Sequence, residues 1–268
     1  MDTYIGFDSA WTDKTNAPGA ICALVMDGNR PVEFHEPRLA TFAEALEFIA
    51  RVRSQNGATL VALDQPTVVP NLTSMRPVER VAASAVSWLG GGVQPSNRGK
   101  VGMFCDASPI WRFLAELEAN EAPEESRVAD KGLYLIEVFP ALALPSFESA
   151  FFGRLMAPRY NPARKKTFRL AHWEGVAEAA ANQFGAFGSL EAQQWCAFEA
   201  QRELPKKADQ DRLDAMLCLL IGLHWRLSPR SSTMLLGNLS EGYMVAPCSE
   251  AMRERLASAA ERYGVSIS

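Results

Sequence analysis

The sequence predicts an α/β protein: a mixed five-stranded sheet with helices on both faces and an irregular segment inserted after the fourth strand. Three observations predict it. The run PGAICALVMDGNRPVEFHEP sets two β-rich stretches on either side of Asp27-Gly28-Asn29, and Asp-Gly between apolar runs is a strong hairpin signal. A helical pattern over residues 41–54 separates that hairpin from ATLVALD (58–64), so the fourth strand enters by a crossover and lies parallel to a strand already in the sheet. One more long run of strand type, GLYLIEVFP (132–140), precedes a largely helical remainder.

Taken in order, TYIGFD (3–8) reads as the first strand and ends in an acid. With the hairpin it forms a three-stranded antiparallel meander. Thr41 and Glu44 have the spacing of a capping box, and Phe42, Leu46, Ile49 and Val52 recur at helical spacing, with Gly57 as the stop. Residues 58–63 are almost wholly apolar, the pattern of a strand covered on both faces. Residues 66–131 are less regular. They hold a helical segment at 75–88, the glycine-rich connection LGGGVQPSNRGKVG (89–102), a helix at about 109–120 and the polar linker EAPEESRVADK. Three helices are expected at roughly 166–183, 189–203 and 210–227, then a short edge strand, GYMVAP (242–247), and a terminal helix near 249–262. The expectation is one domain over residues 1–268, with the insertion at about 66–131.

Composition narrows the class. The 268 residues are 48% hydrophobic and 22% charged, ordinary for a globular protein. A net charge of -4 does not advertise a nucleic-acid binder, although local basic patches matter more than the total. Five scattered cysteines without a CxxC pair argue against a disulfide framework or a zinc knuckle. The start, MDTYIGFDSAW, lacks a cationic-then-apolar pattern, and no apolar run reaches about 18 residues. A cytoplasmic protein without a membrane partner is expected.

The acids carry the chemistry. Strand one ends in Asp8, strand four in Asp64, strand five carries Glu137 near its end, and the late helix opens with Asp211 and Asp214. If strands one and four are parallel neighbours, Asp8 and Asp64 leave the same sheet edge, and Asp211 and Asp214, three apart, share a helix face. Clustered carboxylates repel one another unless a cation holds them. Oxygen ligands without His or Cys favour Mg²⁺ or Mn²⁺. Two such ions about 3.5–4 Å apart are the usual device for in-line attack on a phosphodiester.

On these residues the chain resembles the ribonuclease H-like superfamily: the β-β-β-α-β order, the IGFD strand, the VALDQP strand end and the late DRLDA helix. The D-x-x-D-A spacing is similar to that of Holliday-junction resolvases. GFDSAW, LDQP, Glu79-Arg80, IEVFP, YNPARKK and DRLDAMLCLL together resemble the predicted ribonuclease H-like nucleases of domain-of-unknown-function family 429, over residues 4 to about 247. The resemblance implies a nuclease-type fold and a metal site at Asp8, Asp64, Asp211 and Asp214. The helix acid of ribonuclease H proper has no clear equivalent, although Glu44 and Glu47 lie in the first helix.

Each signal has a plainer reading. Asp8 and Asp64 suit turns at strand ends. Asp211 and Asp214 would complement a helix dipole if they lay in the first turn, and Asp209 suits a cap. Glu137 interrupts an apolar strand and would need an arginine such as Arg80 or Arg98 as partner. Arg164, Lys165 and Lys166, with Arg98 and Lys100 on the glycine-rich loop, would meet phosphates or simply be solvated. That loop lacks the P-loop pattern and reads as a mobile segment beside the site, in the manner of a lid. His35, His172 and His224 lack metal-ligand spacing.

The functional expectation is a hydrolase, a metal-dependent phosphodiesterase or nuclease acting on DNA or RNA. Asp8, Asp64, Glu137, Asp211 and Asp214 form its catalytic set, and Arg80, Arg98, Lys100 and Arg164–Lys166 its substrate contacts. The resolvase likeness adds a homodimer. The alternative is a non-catalytic nucleic-acid or nucleotide-binding module on the same fold. A sugar-kinase-like or actin-like ATPase fits poorly, because it needs two such domains.

Overall fold

The computed structural model describes residues 1–268. The predicted meander is present: β1 (Asp2–Asp8), β2 (Gly19–Asp27) and β3 (Arg30–Ala40) pair antiparallel. The capping box forms at α1 (Phe42–Val52), where the Thr41 hydroxyl accepts from the Glu44 N–H and Glu44 accepts from the Thr41 N–H. The helix then delivers β4 (Ala58–Leu63) parallel to β1. The sheet order is β3-β2-β1-β4-β5, with β5 (Gly132–Glu137) parallel to β4 at the edge.

Period-two alternation sorts the strands between two cores. Ile5, Phe7, Val61, Leu63 and Leu135 pack under α1 and under α3 (Pro109–Leu117), which arises from the inserted segment. Tyr4, Leu60, Ala62 and Ile136 face a larger core that includes α2 (Pro77–Trp88), also from that segment. The insertion is thus divided between both faces of the sheet.

Several elements differ from expectation. The polar linker contains a short turn of helix, α4 (Pro123–Ser126). The fifth strand stops at Glu137, and Pro140 opens α5 (Pro140–Phe147), because proline at the first helical position gives up a hydrogen bond the helix never makes. Helices α6 (Leu170–Ala186) and α7 (Leu190–Ala200) lie near their expected places. Helix α8 spans Lys207–Leu227 and so begins before Gln210. GYMVAP does not join the main sheet. It is β7 (Gly242–Pro247), paired with the unforeseen β6 (Thr233–Asn238) in a separate hairpin, ahead of α9 (Glu250–Tyr263). No helix is long and apolar enough to cross a membrane.

One close approach sets the position of α8. It lies along β1, and a Cβ built on Gly6 would stand 2.1 Å from the Ala215 carbonyl oxygen and 2.4 Å from the Leu219 nitrogen. On β2, Cys22 Sγ lies 3.3 Å from the same Ala215 oxygen. Backbone cannot retreat as a flexible side chain can, so Gly6→Ala is expected to cost about 3 kcal/mol or more. Denaturant unfolding measures this, and a change below about 1 kcal/mol would show that α8 shifts freely on the sheet.

Candidate functional site

The parallel register aligns Phe7 with Leu63, and the Asp64 N–H donates to the Phe7 carbonyl at 2.9 Å, so Asp8 and Asp64 leave adjacent strands at the same level. Both continue the alternation of Tyr4, Gly6 and Leu60, Ala62, which puts them on the face covered by α8. There α8 brings Asp211 and Asp214, both buried, over the strand ends. They lie in its second and third turns, while the first-turn acid is Asp209, which accepts from the Lys206 N–H at 2.8 Å. The helix-dipole reading therefore belongs to Asp209, and dipole attraction has decayed by the other two.

Neighbouring side chains meet part of the cost. Tyr160 donates its hydroxyl to Asp214 Oδ1 at 2.7 Å, and Gln210 Nε2 donates to Oδ2 at 2.6 Å. Lys207 Nζ hydrogen-bonds to Asp211 Oδ1. No amide, ammonium or hydroxyl group donates to the carboxyl groups of Asp8 and Asp64, although the Asp8 carboxyl lies in hydrogen-bond contact with that of Asp211 and both Asp8 and Asp64 retain some solvent contact. Burial, reinforced by Asp214, pushes both well above the usual carboxylate range, with Asp64 adding to the effect on Asp8 and Glu137 to that on Asp64, while Lys207 opposes both. Burial raises Asp214 to about 6 against the pull of Tyr160 and Lys207. Burial also works to lower Lys207, but Asp8, Asp211 and Asp214 win and hold its pKa up. The side chains chemically able to hold a hard cation are these four aspartates, and no three acids, histidines or cysteines form a closed ligand set.

Glu137 is placed differently. Its register partner is Leu63, not Asp64, and its carboxylate is held by Arg76, through Nη1 at 2.9 Å and Nη2 at 2.5 Å, and by the Thr67 N–H at 3.0 Å. Arg76 is 0% exposed. Its Nε and backbone N–H bind Glu79, which also accepts from the Ser96 N–H and hydroxyl. Tyr243 of β7 donates to Glu121 at 2.9 Å and accepts the Glu137 N–H. Gly242 leaves room for the guanidinium, since a Cβ there would meet Arg76 at 2.8 Å. Arg76, rather than Arg80 or Arg98, is the partner of Glu137. Burial still raises Glu137 to about 7, with Arg76 opposing.

The cationic residues divide. Arg80 points away, over the Tyr263 ring of α9 at 5.9 Å. Arg98 stacks on Trp111 at 4.4 Å and pairs with Asp106 at 3.3 Å. Lys100, on the same loop, is half-buried and lines neither cavity beside Asp64. Arg164 lines a cleft of about 460 Å³ with Asp64, Asp214 and Tyr160, and Lys165 and Lys166 are exposed beside it. The same cleft takes Arg159 and the start of the glycine-rich loop, Gly90–Gly92, whose two flanks are tied by backbone hydrogen bonds such as Leu155 to Trp88 and Arg98 to Asn71. Sequence reasoning missed Trp11, Arg159, Tyr160, Lys207 and Gln210. Trp11, Tyr160, Lys207 and Gln210 stand inside or beside the motifs GFDSAW, YNPARKK and DRLDA.

Fold and cleft together define a mixed α/β protein that presents aspartates at the carboxyl ends of two parallel strands, beneath a helix bearing two more. The chain matches the family described as Protein of unknown function (DUF429) over residues 6–234, and it belongs to that family. No curated protein and no solved structure matches it.

Two substitutions separate the acids by role. Asp214→Asn keeps an acceptor for Tyr160 and removes a charge whose folded pKa, about 6, lies above its ordinary 3.8. A raised carboxyl destabilises the fold once ionised, and this penalty is absent below the unfolded pKa. The variant should therefore match wild type near pH 4 and exceed it above pH 6, by on the order of 2 kcal/mol without metal. Urea unfolding across that range checks the sign. Glu137→Gln breaks a buried pair with Arg76 and should cost about 3–5 kcal/mol by the same measurement. A Glu137 variant as stable as wild type would free that residue for a role at the cleft.

Proposed function

We propose that this protein is a metal-dependent phosphodiesterase of the nuclease type, built on a ribonuclease H-like arrangement. One observation carries the reading. Asp8 and Asp64 stand on adjacent parallel strands under Asp214, mutually repelling, without an amide, ammonium or hydroxyl donor for either strand-end carboxylate. Such an arrangement is costly unless a cation occupies it. Oxygen-only ligands suit Mg²⁺ or Mn²⁺. When bound, the ion would activate water and neutralise charge on the phosphodiester.

The protein's own groups have distinct tasks on this reading. Asp8 and Asp64 hold the cation at the strand ends. Asp214, oriented by Tyr160 and Gln210, completes the shell from the helix. Asp211 and Lys207 form a neighbouring ion pair that offsets acidic charge near Asp8. Arg159 and Arg164 make no ion pair within the protein and suit the phosphate, with Lys165 and Lys166 adding positive field. Glu137 is assigned to the Arg76 network that supports β5, and Arg80, Arg98 and Lys100 lose their proposed substrate role.

A second reading, a non-catalytic nucleic-acid or nucleotide-binding module, draws on Lys207: an ammonium already bonded to Asp211 supplies one counter-ion without metal. Mn²⁺ titration by calorimetry separates the two when combined with a cleavage assay. Wild type should bind Mn²⁺ in the micromolar-to-millimolar range, Asp214→Asn should lose that binding, and Asp8→Asn should lose Mg²⁺-dependent cleavage of a polynucleotide. Equal heats in wild type and Asp214→Asn would sink the metal site. Binding without turnover would support the module.

A further inference from the structure

A second cavity, of about 150 Å³, adjoins the cleft. Its walls are largely apolar: Trp11, Pro66, Val93, Phe139 and Met244. It shares Asp64, Gly92 and Phe139 with the cleft that contains Arg159 and Arg164, so the two spaces meet at a proposed metal ligand. A cavity of this volume with apolar walls accepts a six-membered aromatic ring. Trp11 is held in place, its indole N–H donating to the Asp64 carbonyl at 3.1 Å and its ring meeting Phe104 edge-on at 5.3 Å.

The glutamate carboxylates of this cavity have little left to offer, and its free neutral polar side chain is the exposed Gln94, whose amide makes only a long contact to Met103 Sδ at 3.5 Å. Glu79 and Glu137 are among its lining residues, yet their carboxylate oxygens are engaged by Arg76, Ser96 and Thr67. Apart from Gln94 and Asp64, the cavity therefore offers apolar and aromatic surface rather than a pattern of donors and acceptors. Such contacts do not read the edge of a base, whereas base-edge hydrogen bonds would, and the volume suits a single-ring pyrimidine. The cations at the cleft are grouped on one short segment, Arg159 and Arg164 with Lys165 and Lys166 beside them, while Arg80 lies over Tyr263 and Arg98 is paired with Asp106. A long duplex backbone finds no extended basic track, and bases stacked in a duplex cannot enter a side cavity without being extruded.

We propose that this cavity is a base pocket: it takes the unpaired base of a single-stranded nucleic acid whose phosphate lies in the cleft beside Asp64. The proposal rests on the phosphodiesterase reading and adds the substrate class, single strand over duplex, with the base held by stacking.

Fluorescence anisotropy in Ca²⁺ tests it with three labelled probes: a short oligothymidylate, the same strand in a duplex, and an abasic strand of equal length. Wild type should bind the oligothymidylate about tenfold or more tighter than either of the others. Trp11→Ala, which removes a wall, and Val93→Phe, which fills the space from the glycine-rich loop, should each abolish the preference over the abasic strand. Val93→Phe should keep the wild-type heat of Mn²⁺ binding, which shows that the fold and the acids are intact. Equal affinity of wild type for oligothymidylate and abasic strand, with Mn²⁺ binding retained, overturns the pocket and leaves the phosphodiesterase reading standing. The pocket also falls if Val93→Phe keeps the preference. Absence of both Mn²⁺ heat and strand binding in wild type overturns both.

Discussion

The absence of a side chain at Gly6 is the constraint on which the site depends. Helix α8 crosses β1 so closely that the Ala215 carbonyl occupies the place of a Cβ. The geometry leaves little freedom: with Ala215 fixed against Gly6, Asp214 one residue earlier must hang over the ends of β1 and β4. A helix resting on an ordinary strand would stand farther away, and its acids would reach water instead of Asp8 and Asp64. Packing tolerance at one strand position thus becomes electrostatic geometry at the next, because interiors relax only slightly.

The second organising element lies at the end of β5. A fully buried arginine is tolerable only when its donors are met, and Arg76 meets them with Glu79, Glu137 and the Val68 carbonyl. The network joins the inserted segment, the main sheet and the β6–β7 hairpin through residues far apart in sequence. It also forms part of the small cavity beside Asp64, where Glu79 and Glu137 are lining residues. A polar network of this kind rigidifies when every member is paired.

Much of the fold was legible because its signals are local. The Asp27-Gly28 turn, the Thr41–Glu44 box and the apolar run of β4 each need only a few neighbouring residues. Helix α5 was hidden by Pro140 and Pro145, which read as breakers although the first sits where a helix makes no hydrogen bond. Strand β6 was hidden because its evidence is its partner β7. For the site, acids at strand ends stood out as anomalies against apolar runs. Tyr160 and Gln210 are neutral and Trp11 looks like core, so their roles exist only through contacts made by the fold, 54 residues away in the case of Tyr160 and Asp214. Glu137 misled for the opposite reason: an acid in a strand looks the same from sequence whether it faces a cleft or an arginine.

The two cations near these acids explain how a buried acidic cluster and a stable fold coexist. Arg76 is planar, permanently charged and locked by several carboxylate oxygens at once, which suits a charge that never leaves. Lys207 reaches Asp211 on a flexible stem and is partly exposed, its side chain 52% accessible. A compact ammonium on such a stem can withdraw to water at modest cost, since an ion pair near the surface is worth little. Permanent charge therefore sits with Glu79 and Glu137, where the fold needs it, and displaceable charge sits with the aspartates. On the proposed reading this is the arrangement a metal-binding cleft requires: enough counter-charge to keep the acids folded without the ion, and not so tightly held that the ion cannot replace it.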